Sequence, residues 1–146
     1  MILSTEEILK YLPHRDPFLF IDEVISLKEG NNIHAVMHVK DENIFLEGHF
    51  PGNPIVPGVI LIEAMGQASG ILGFKTMNKT PEEGSIYYFV GADNVRFRSP
   101  VVPPSILTLE SKKIQDRRGI WKFDCKASLE ENLVCSATIL CADRPK

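Results

Sequence analysis

One histidine and one glutamate within residues 48–74 have side chains that could do acid–base chemistry. His49 lies in a segment crowded with glycine and proline, GHFPGNPIVPG, which predicts an irregular loop stiffened by its prolines. Glu63 lies in the apolar run that follows, VILIEAMGQASGILGF, where it is the one ionisable residue. Because this run contains no proline, it predicts a long helix that begins near Pro57.

Glu63 is unusual because an unpaired carboxylate inside an apolar helix is costly to bury. Such a group must either find hydrogen-bond donors or keep its proton. A helical period of 3.6 residues places Gly66, Gln67 and Gly70 on the same face as Glu63. The Gln67 amide can donate to the carboxyl group, and the glycines let a backbone or a long thin ligand approach closely. An equally open alternative is structural: Glu63 pairs with an arginine, and the glycines allow tight packing.

His49 is predicted to be held in place, because prolines restrict its loop. An imidazole fixed in this way needs no ordering at the moment of reaction. A histidine base and a carboxylic acid that keeps its proton form an acid–base pair. The backbone N–H groups near Gly58, at the positive end of the helix, suit a carbonyl oxygen on which negative charge develops. These groups together favour proton removal beside a carbonyl with loss of a β-hydroxyl group, without a cofactor.

Several other classes are excluded by composition and motifs. The net charge of −3 argues against a general nucleic-acid binder. No phosphate-binding loop, nucleophile signature or metal-ligand spacing occurs in the sequence, so no metal is expected. Acidic residues stand where a signal peptide would be basic, and Glu63 and Gln67 interrupt the apolar helix, so we expect a soluble, cytoplasmic protein without a membrane partner. The cysteines are predicted to be small apolar residues in a reducing compartment: Cys125, Cys135 and Cys141.

The remaining elements are predicted to form a single domain, residues 1–146, around the long helix. A capping box from Ser4 to Glu7 predicts a short first helix that ends near Tyr11. Apolar or alternating runs predict about six strands, over residues 18–27, 33–40, 86–98, 106–114, 121–129 and 133–141. Strands grouped with one long helix predict an α+β fold with an antiparallel sheet. Because the helix is apolar on nearly every side, either the sheet curls around it or a second subunit covers the remainder, and we expect an oligomer.

The run GHFPGNPIVPGVILIEAMGQ closely resembles the signature of the β-hydroxyacyl-acyl-carrier-protein dehydratases of bacterial type II fatty-acid synthesis, which have the hot-dog fold. LPHRDPFLFIDEV and VRFRSPVVP resemble the same family, so the resemblance extends from about residue 12 to 102. It implies a long central helix wrapped by a curved antiparallel sheet. The implied reaction is reversible dehydration of a (3R)-hydroxyacyl thioester to the trans-2-enoyl thioester. Two positions depart from the usual pattern: Asp16 replaces a common aromatic residue, and Pro103-Pro104-Ser105 replaces Pro-Gly-Asp.

The resemblance also implies residue roles and an assembly. The family's catalytic histidine corresponds to His49 and its catalytic acid to Glu63. The glycine whose N–H polarises the thioester carbonyl corresponds to Gly58, and the glutamine beside the acid to Gln67. Glutamate rather than aspartate at position 63 favours a plain dehydratase and leaves isomerase activity open. The implied assembly is a homodimer that shares its sites, with His49 from one subunit and Glu63 from the other, and dimers that form hexamers.

The implied partner is acyl carrier protein, which is acidic in this pathway, so basic side chains are the expected contacts. The candidates are Arg15, Lys75, Lys79, Arg96, Arg98, Arg117 and Arg118. Aromatic candidates for the wall or gate of an acyl tunnel, with core packing as the alternative for most, are Phe74, Tyr87, Tyr88 and Phe89. Two rival functions stay open: a thioesterase on the same fold, and a non-catalytic acyl-binding or scaffolding subunit, which would give His49 no role.

Overall fold

A computed structural model of the chain describes residues 2–145, apart from the side chains of residues 85–88. The elements in chain order are α1 (Thr5–Tyr11), β1 (Glu23–Lys28), β2 (Asn32–Val39), a 3₁₀ turn (Ile44–Leu46), α2 (Gly58–Met77), a second 3₁₀ turn (Pro81–Glu83), β3 (Ser85–Phe97), β4 (Ser105–Arg117), β5 (Ile120–Leu129) and β6 (Asn132–Pro145). Neither α-helix in this part of the chain combines the length and the apolarity needed to cross a membrane.

The six strands form one antiparallel sheet in the order β1-β2-β4-β5-β6-β3. Register shifts interrupt four of the five strand pairings, and such bulges bend a strand and increase its twist. The bent sheet curls around α2, which packs against every strand from β2 to β6. The predicted α+β architecture, a long helix wrapped by a curved antiparallel sheet of six strands, is confirmed.

Helix α2 is buried on all its sides through its middle turns. Every residue over positions 64–74 is buried, because the sheet covers part of the helix and α1 packs against it as well. Of the two ways to hide the helix, the curled sheet therefore accounts for most of its length. The first turn is different, since Val59 keeps 70% of its surface exposed. The last turn, Lys75 to Met77, is also only partly buried, so the two ends of the helix are what a second subunit could cover.

The first predicted strand is wrong in its first half. The sequence predicts a strand over residues 18–27, whereas β1 begins at Glu23. The Phe20 N–H donates to Gln67 Oε1 at 2.9 Å, and the Phe18 carbonyl accepts from Gln67 Nε2 at 2.7 Å. A side chain of α2 therefore satisfies backbone groups that a neighbouring strand would otherwise pair. We call residues 12–20, which connect α1 towards β1, the N-terminal segment.

The other elements agree with the sequence in type and differ mainly in length. The first helix and its capping box from Ser4 to Glu7 are confirmed. Strands β4 and β6 extend to Arg117 and Pro145 because their ladders with neighbouring strands continue beyond the alternating pattern. Cis peptide bonds occur at both positions where the sequence departs from the family pattern, Asp16–Pro17 and Pro103–Pro104.

The cysteines are all buried and free of disulfides, in agreement with their predicted role as small apolar side chains. Cys125 lies in a polar cluster between α2 and the sheet, with Ser69 Oγ 2.7 Å from Ser111 Oγ and 3.4 Å from the sulfur. Ser69 also donates to the Met65 carbonyl at 2.9 Å. These bonds satisfy hydroxyl groups that would otherwise be costly to bury, and they fix the position of α2 on β4 and β5.

Candidate active site

His49 is fixed within its own loop, between the first 3₁₀ turn and α2. Its Nδ1 lies 2.7 Å from the Ile55 carbonyl oxygen. Because a carbonyl can only accept, Nδ1 carries the N–H, and Nε2 is left with a lone pair that can take a proton. The Phe50 ring stacks on the imidazole with 4.1 Å between ring centroids, and the Ile55 N–H donates to the His49 carbonyl at 2.8 Å. The side chain is thereby held in one orientation, with Nε2 free to accept a proton.

Gly58 is the first residue of α2 and lines the same cavity as His49. Its N-terminal neighbour Pro57 provides no side-chain cap, so the first N–H groups of the helix remain available. His49 and Gly58 line one cavity of about 370 Å³, which we call the His49 cavity, together with Ile55, Val56, Leu61, Phe97, Arg98, Ser99, Pro100 and Val101. A Cβ atom at position 58 would lie 2.7 Å from the Phe97 ring, so glycine allows this close approach.

Glu63 lines a second cavity, of about 310 Å³, which we call the Glu63 cavity. Its other lining residues are Leu12, Pro13, His14, Gly66, Gln67, Gly70, Phe74, Phe89 and Cys141. Burial raises the pKa of Glu63, and a hydrogen bond from Gln67 offsets part of this effect. The carboxyl group therefore keeps its proton to higher pH than an ordinary glutamate, as the acid of an acid–base pair requires.

Gln67 links the Glu63 cavity to the N-terminal segment. Its Oε1 accepts from the Phe20 N–H, its Nε2 donates to the Phe18 carbonyl, and the amide also bonds to Glu63. The side chain is 1% exposed, so these bonds satisfy a group that water does not reach. Gln67 thus holds one wall of the cavity in place, whereas direct binding of substrate by Gln67 stays a prediction.

The predicted site residues form two pairs within one chain. His49 and Gly58 share the His49 cavity, and Glu63 and Gln67 share the Glu63 cavity.

Burial, followed by the nearby Cys125 and Glu63, raises the pKa of the Cys141 thiol to about 12. Glu63, His14 and this thiol are the titratable groups among the described residues that line the Glu63 cavity.

His14 was not singled out from the sequence, although it lines the Glu63 cavity. Its Nδ1 is buried without a hydrogen-bond partner in the part of the chain that the structure describes. Burial, and then the neighbouring Arg15, lower the pKa of its imidazole, so the neutral form is favoured. A signal was available: His14 follows Pro13 and precedes Asp16-Pro17, so it lies in a proline-restricted segment like that of His49.

The structure describes the side chains of two of the four aromatic candidates for the wall or gate of an acyl tunnel. Phe74 and Phe89 both line the Glu63 cavity. Phe74 is buried, whereas Phe89 is 41% exposed and its ring occupies the space where a Cβ atom of Gly66 would lie. The side chains of Tyr87 and Tyr88 fall outside the described residues. A role for Phe74 and Phe89 in the wall of an acyl-binding cavity is therefore compatible with their positions.

Some of the basic side chains expected to contact acyl carrier protein already bond to other groups of this chain. Arg15 donates to the carbonyls of Leu12 at 2.8 Å and His14 at 2.7 Å, which holds the N-terminal segment. The Lys75 ammonium lies 5.3 Å from the centre of the Tyr11 ring. Arg98 lines the same cavity as His49.

Comparison with known proteins shows which family the chain belongs to. The family described as the FabA-like domain matches residues 12–138. The chain is 54% identical over 143 residues to the 3-hydroxyacyl-[acyl-carrier-protein] dehydratase FabZ of Saccharophagus degradans, covering 98% of this chain and 99% of that protein. It is 57% identical over 143 residues to the FabZ of Teredinibacter turnerae, covering 98% of each.

Solved structures show the same fold at low sequence identity. The dehydratase heterocomplex ApeI:P from Xenorhabdus doucetiae superimposes with a TM-score of 0.83 at 20% identity, over 100% of this chain and 94% of that chain. A mutant thioesterase from Pseudomonas aeruginosa superimposes with a TM-score of 0.72 at 13% identity, over 100% and 97%. The helix wrapped by a curled sheet therefore places the protein in the hot-dog class, which includes dehydratases and thioesterases. Within this class the chain belongs to the FabA-like family, among the FabZ-type 3-hydroxyacyl-[acyl-carrier-protein] dehydratases.

Proposed function

We propose that the protein dehydrates (3R)-hydroxyacyl-acyl-carrier-protein to trans-2-enoyl-acyl-carrier-protein in fatty-acid elongation. The observation that carries the proposal is the bond from His49 Nδ1 to the Ile55 carbonyl, which leaves Nε2 as a base. The raised pKa of Glu63 supplies the matching acid. The relatives named 3-hydroxyacyl-[acyl-carrier-protein] dehydratase support this reaction rather than another reaction on the same fold.

Three groups would share the reaction. His49 Nε2 removes the proton from the carbon beside the thioester carbonyl. The Gly58 N–H donates to the thioester oxygen, on which negative charge develops, from the positive end of α2. Glu63 gives its proton to the 3-hydroxyl group, the carbon–oxygen bond breaks, and water leaves as the double bond forms. The imidazole ends with the proton and the carboxyl group without it, and the reverse reaction or solvent exchange restores both. No cofactor takes part in these steps.

We infer that the two halves of the site come from different subunits. His49 and Glu63 line different cavities within one chain. Apolar side chains around the His49 cavity are exposed in the single chain: Phe50 at 49%, Val59 at 70% and Phe97 at 54%. Strand β3 forms one end of the sheet and could pair with a second copy. A homodimer that covers this surface would bring Glu63 of one subunit towards His49 of the other, and the hexamer is the further assembly we expect.

The partner in this proposal is acyl carrier protein that bears a hydroxyacyl-phosphopantetheine. Arg98 is the basic candidate best placed to meet an acidic partner, because it lines the His49 cavity. Nucleic acid and membranes are not expected partners. We also retain the cytoplasmic location and the single domain over residues 1–146 as predictions.

The test follows both products of a hydroxyacyl thioester at once. Absorbance of the enoyl thioester reports dehydration, and a thiol reagent reports hydrolysis. We expect the wild type to give enoyl product, and His49→Ala to lose roughly 10²–10⁴-fold in rate, the range typical for a general base. The control is His34→Ala, because His34 bonds to Glu110 at 2.7 Å on the surface of the sheet. Thiol release without enoyl product would favour the thioesterase, and a near-normal rate in His49→Ala would refute the mechanism.

A further inference from the structure

The Glu63 cavity contains a second imidazole, His14, which the mechanism above does not use. The N-terminal segment holds this residue firmly. Arg15 bonds to the Leu12 and His14 carbonyls on one side, and the Gln67 amide bonds to the backbone of Phe18 and Phe20 on the other. His14 therefore lies in a wall of the cavity that is anchored both to its own chain and to α2.

The two nitrogens of His14 have different surroundings. Nδ1 is shielded from solvent and has no hydrogen-bond partner among the described residues, whereas Nε2 is not shielded in this way. Among buried backbone groups, an N–H without an acceptor is rarer than a carbonyl that lacks a donor, and we apply the same preference to the imidazole. The single proton of a neutral imidazole is therefore expected on Nε2, which becomes a hydrogen-bond donor.

The other polar groups of the Glu63 cavity leave a place for such a donor. The Gln67 amide is committed to Phe18, Phe20 and Glu63. The Cys141 thiol is a weak donor. A hydroxyl oxygen that accepts a proton from Glu63 has a second lone pair, which must also be satisfied in a cavity lined mainly by apolar atoms.

We propose that His14 donates a hydrogen bond from Nε2 to the 3-hydroxyl oxygen of the substrate, beside Glu63. This makes His14 a substrate-contacting residue that distinguishes hydroxyacyl from saturated acyl chains. The inference rests on the proposed function, since it assumes that a 3-hydroxyacyl group enters the Glu63 cavity. The bond strengthens as the carbon–oxygen bond breaks, because negative charge then develops on the departing oxygen.

The neutral state of His14 matters for Glu63. A positively charged imidazolium in the same cavity would favour the carboxylate and so remove the proton that Glu63 must give. Burial, reinforced by Arg15, lowers the pKa of His14 and keeps the imidazole uncharged near neutrality. A neutral N–H donor can therefore contact the leaving oxygen without depleting the acid.

The test compares two ligands of the full-length protein. One is a (3R)-hydroxyacyl-pantetheine amide, which is not dehydrated because the amide replaces the thioester, and the other is its saturated counterpart. We expect the wild type to bind the hydroxyacyl amide more tightly, and His14→Leu to reduce this preference roughly tenfold while binding of the saturated amide changes little. With the hydroxyacyl thioester, His14→Leu should lower kcat by roughly 10²-fold.

His14→Gln and His38→Leu complete the design. The Gln variant keeps an N–H donor, so it should retain most of the preference for the hydroxyacyl amide. His14→Phe, which keeps a ring but has no N–H donor, replaces His14→Leu if that variant does not assemble. His38 is an exposed histidine of β2, and its Leu variant should behave as the wild type. Equal weakening of both amides, or an unchanged preference in a folded His14→Leu protein, would overturn the inference. Absence of enoyl product from the wild type would instead refute the proposed function.

Discussion

The His49 cavity and the Glu63 cavity are built in opposite ways. The imidazole of His49 is held by a carbonyl six residues away and by the ring of the next residue, so its geometry is made within one loop. The Glu63 cavity joins α2 to backbone groups 47 and 49 residues earlier, through Gln67. A base can be oriented locally, whereas an acid that keeps its proton needs burial by distant parts of the chain.

The largest expected effect is recovery of activity when two inactive variants are mixed. It tests whether the His49 cavity of one subunit and the Glu63 cavity of another form one site. His49→Ala and Glu63→Gln proteins should each be nearly inactive. In a random mixture with exchanged subunits, half of the dimers contain one of each variant, and one of their two sites is intact. We therefore expect the mixture to recover about a quarter of the wild-type rate, measured by enoyl absorbance.

Two controls accompany this mixture. Tagged subunits purified together must show that exchange has occurred, and a mixture of His49→Ala with His49→Ala/Glu63→Gln should stay inactive. Verified exchange without recovery would mean that each site is completed within one chain.

The next effect concerns the close packing in the His49 cavity. Gly58→Ala places a methyl group against the Phe97 ring, which must move. Because Phe97 lines the cavity, we expect the dehydration rate to fall by roughly 10–100-fold, with a small change in stability. Gly48→Ala is the matched control, since a Cβ atom there meets nothing within 4 Å. Equal rates for the two variants would show that packing at Gly58 does not position the reacting groups.

The third effect concerns the long-range bonds of the Glu63 cavity. Gln67→Leu removes the partners of the Phe20 N–H and the Phe18 carbonyl at a site that water does not reach. We expect the free energy of unfolding to fall by roughly 1–3 kcal/mol, measured by denaturant titration. Gln115→Leu, at an exposed position of β4, should cost much less. A Gln67→Leu protein as stable as the wild type would show that the N-terminal segment does not depend on these two hydrogen bonds.

The smallest effect is a dependence of stability on pH. Burial raises the pKa of Glu63, so its contribution to stability is fully present below its ordinary value of 4.5 and is lost as pH rises through the higher folded value. Glu63→Gln cannot ionise and avoids this loss. The variant should therefore melt at a higher temperature than the wild type near neutral pH, and the difference should shrink as pH falls towards 4.5.

The control for this effect is Glu131→Gln, which changes an exposed glutamate in the turn before β6. Its melting curve should follow that of the wild type across the same pH range. A Glu63→Gln protein that is less stable than the wild type at neutral pH would show that the carboxylate gains more from partners than it loses by burial.

The same contrast explains what could be predicted from the sequence. The His49 loop and the start of α2 were found because prolines, glycines and an apolar run are adjacent in the chain. The predicted start of β1 was wrong because the apolar pattern at residues 18–22 cannot reveal that the Gln67 side chain bonds to this backbone. His14 was missed for the same reason: its place beside Glu63 depends on how the N-terminal segment folds back onto α2.

The protonation state of the Cys141 thiol matters because the product of the proposed reaction is an electrophile. The enoyl thioester of the proposed reaction carries an activated double bond to which a sulfur anion can add. Cys141 lines the Glu63 cavity, but with its pKa raised to about 12 the thiol keeps its proton at neutral pH and the reactive anion is scarce. Burial of this thiol therefore disfavours its addition to the enoyl product.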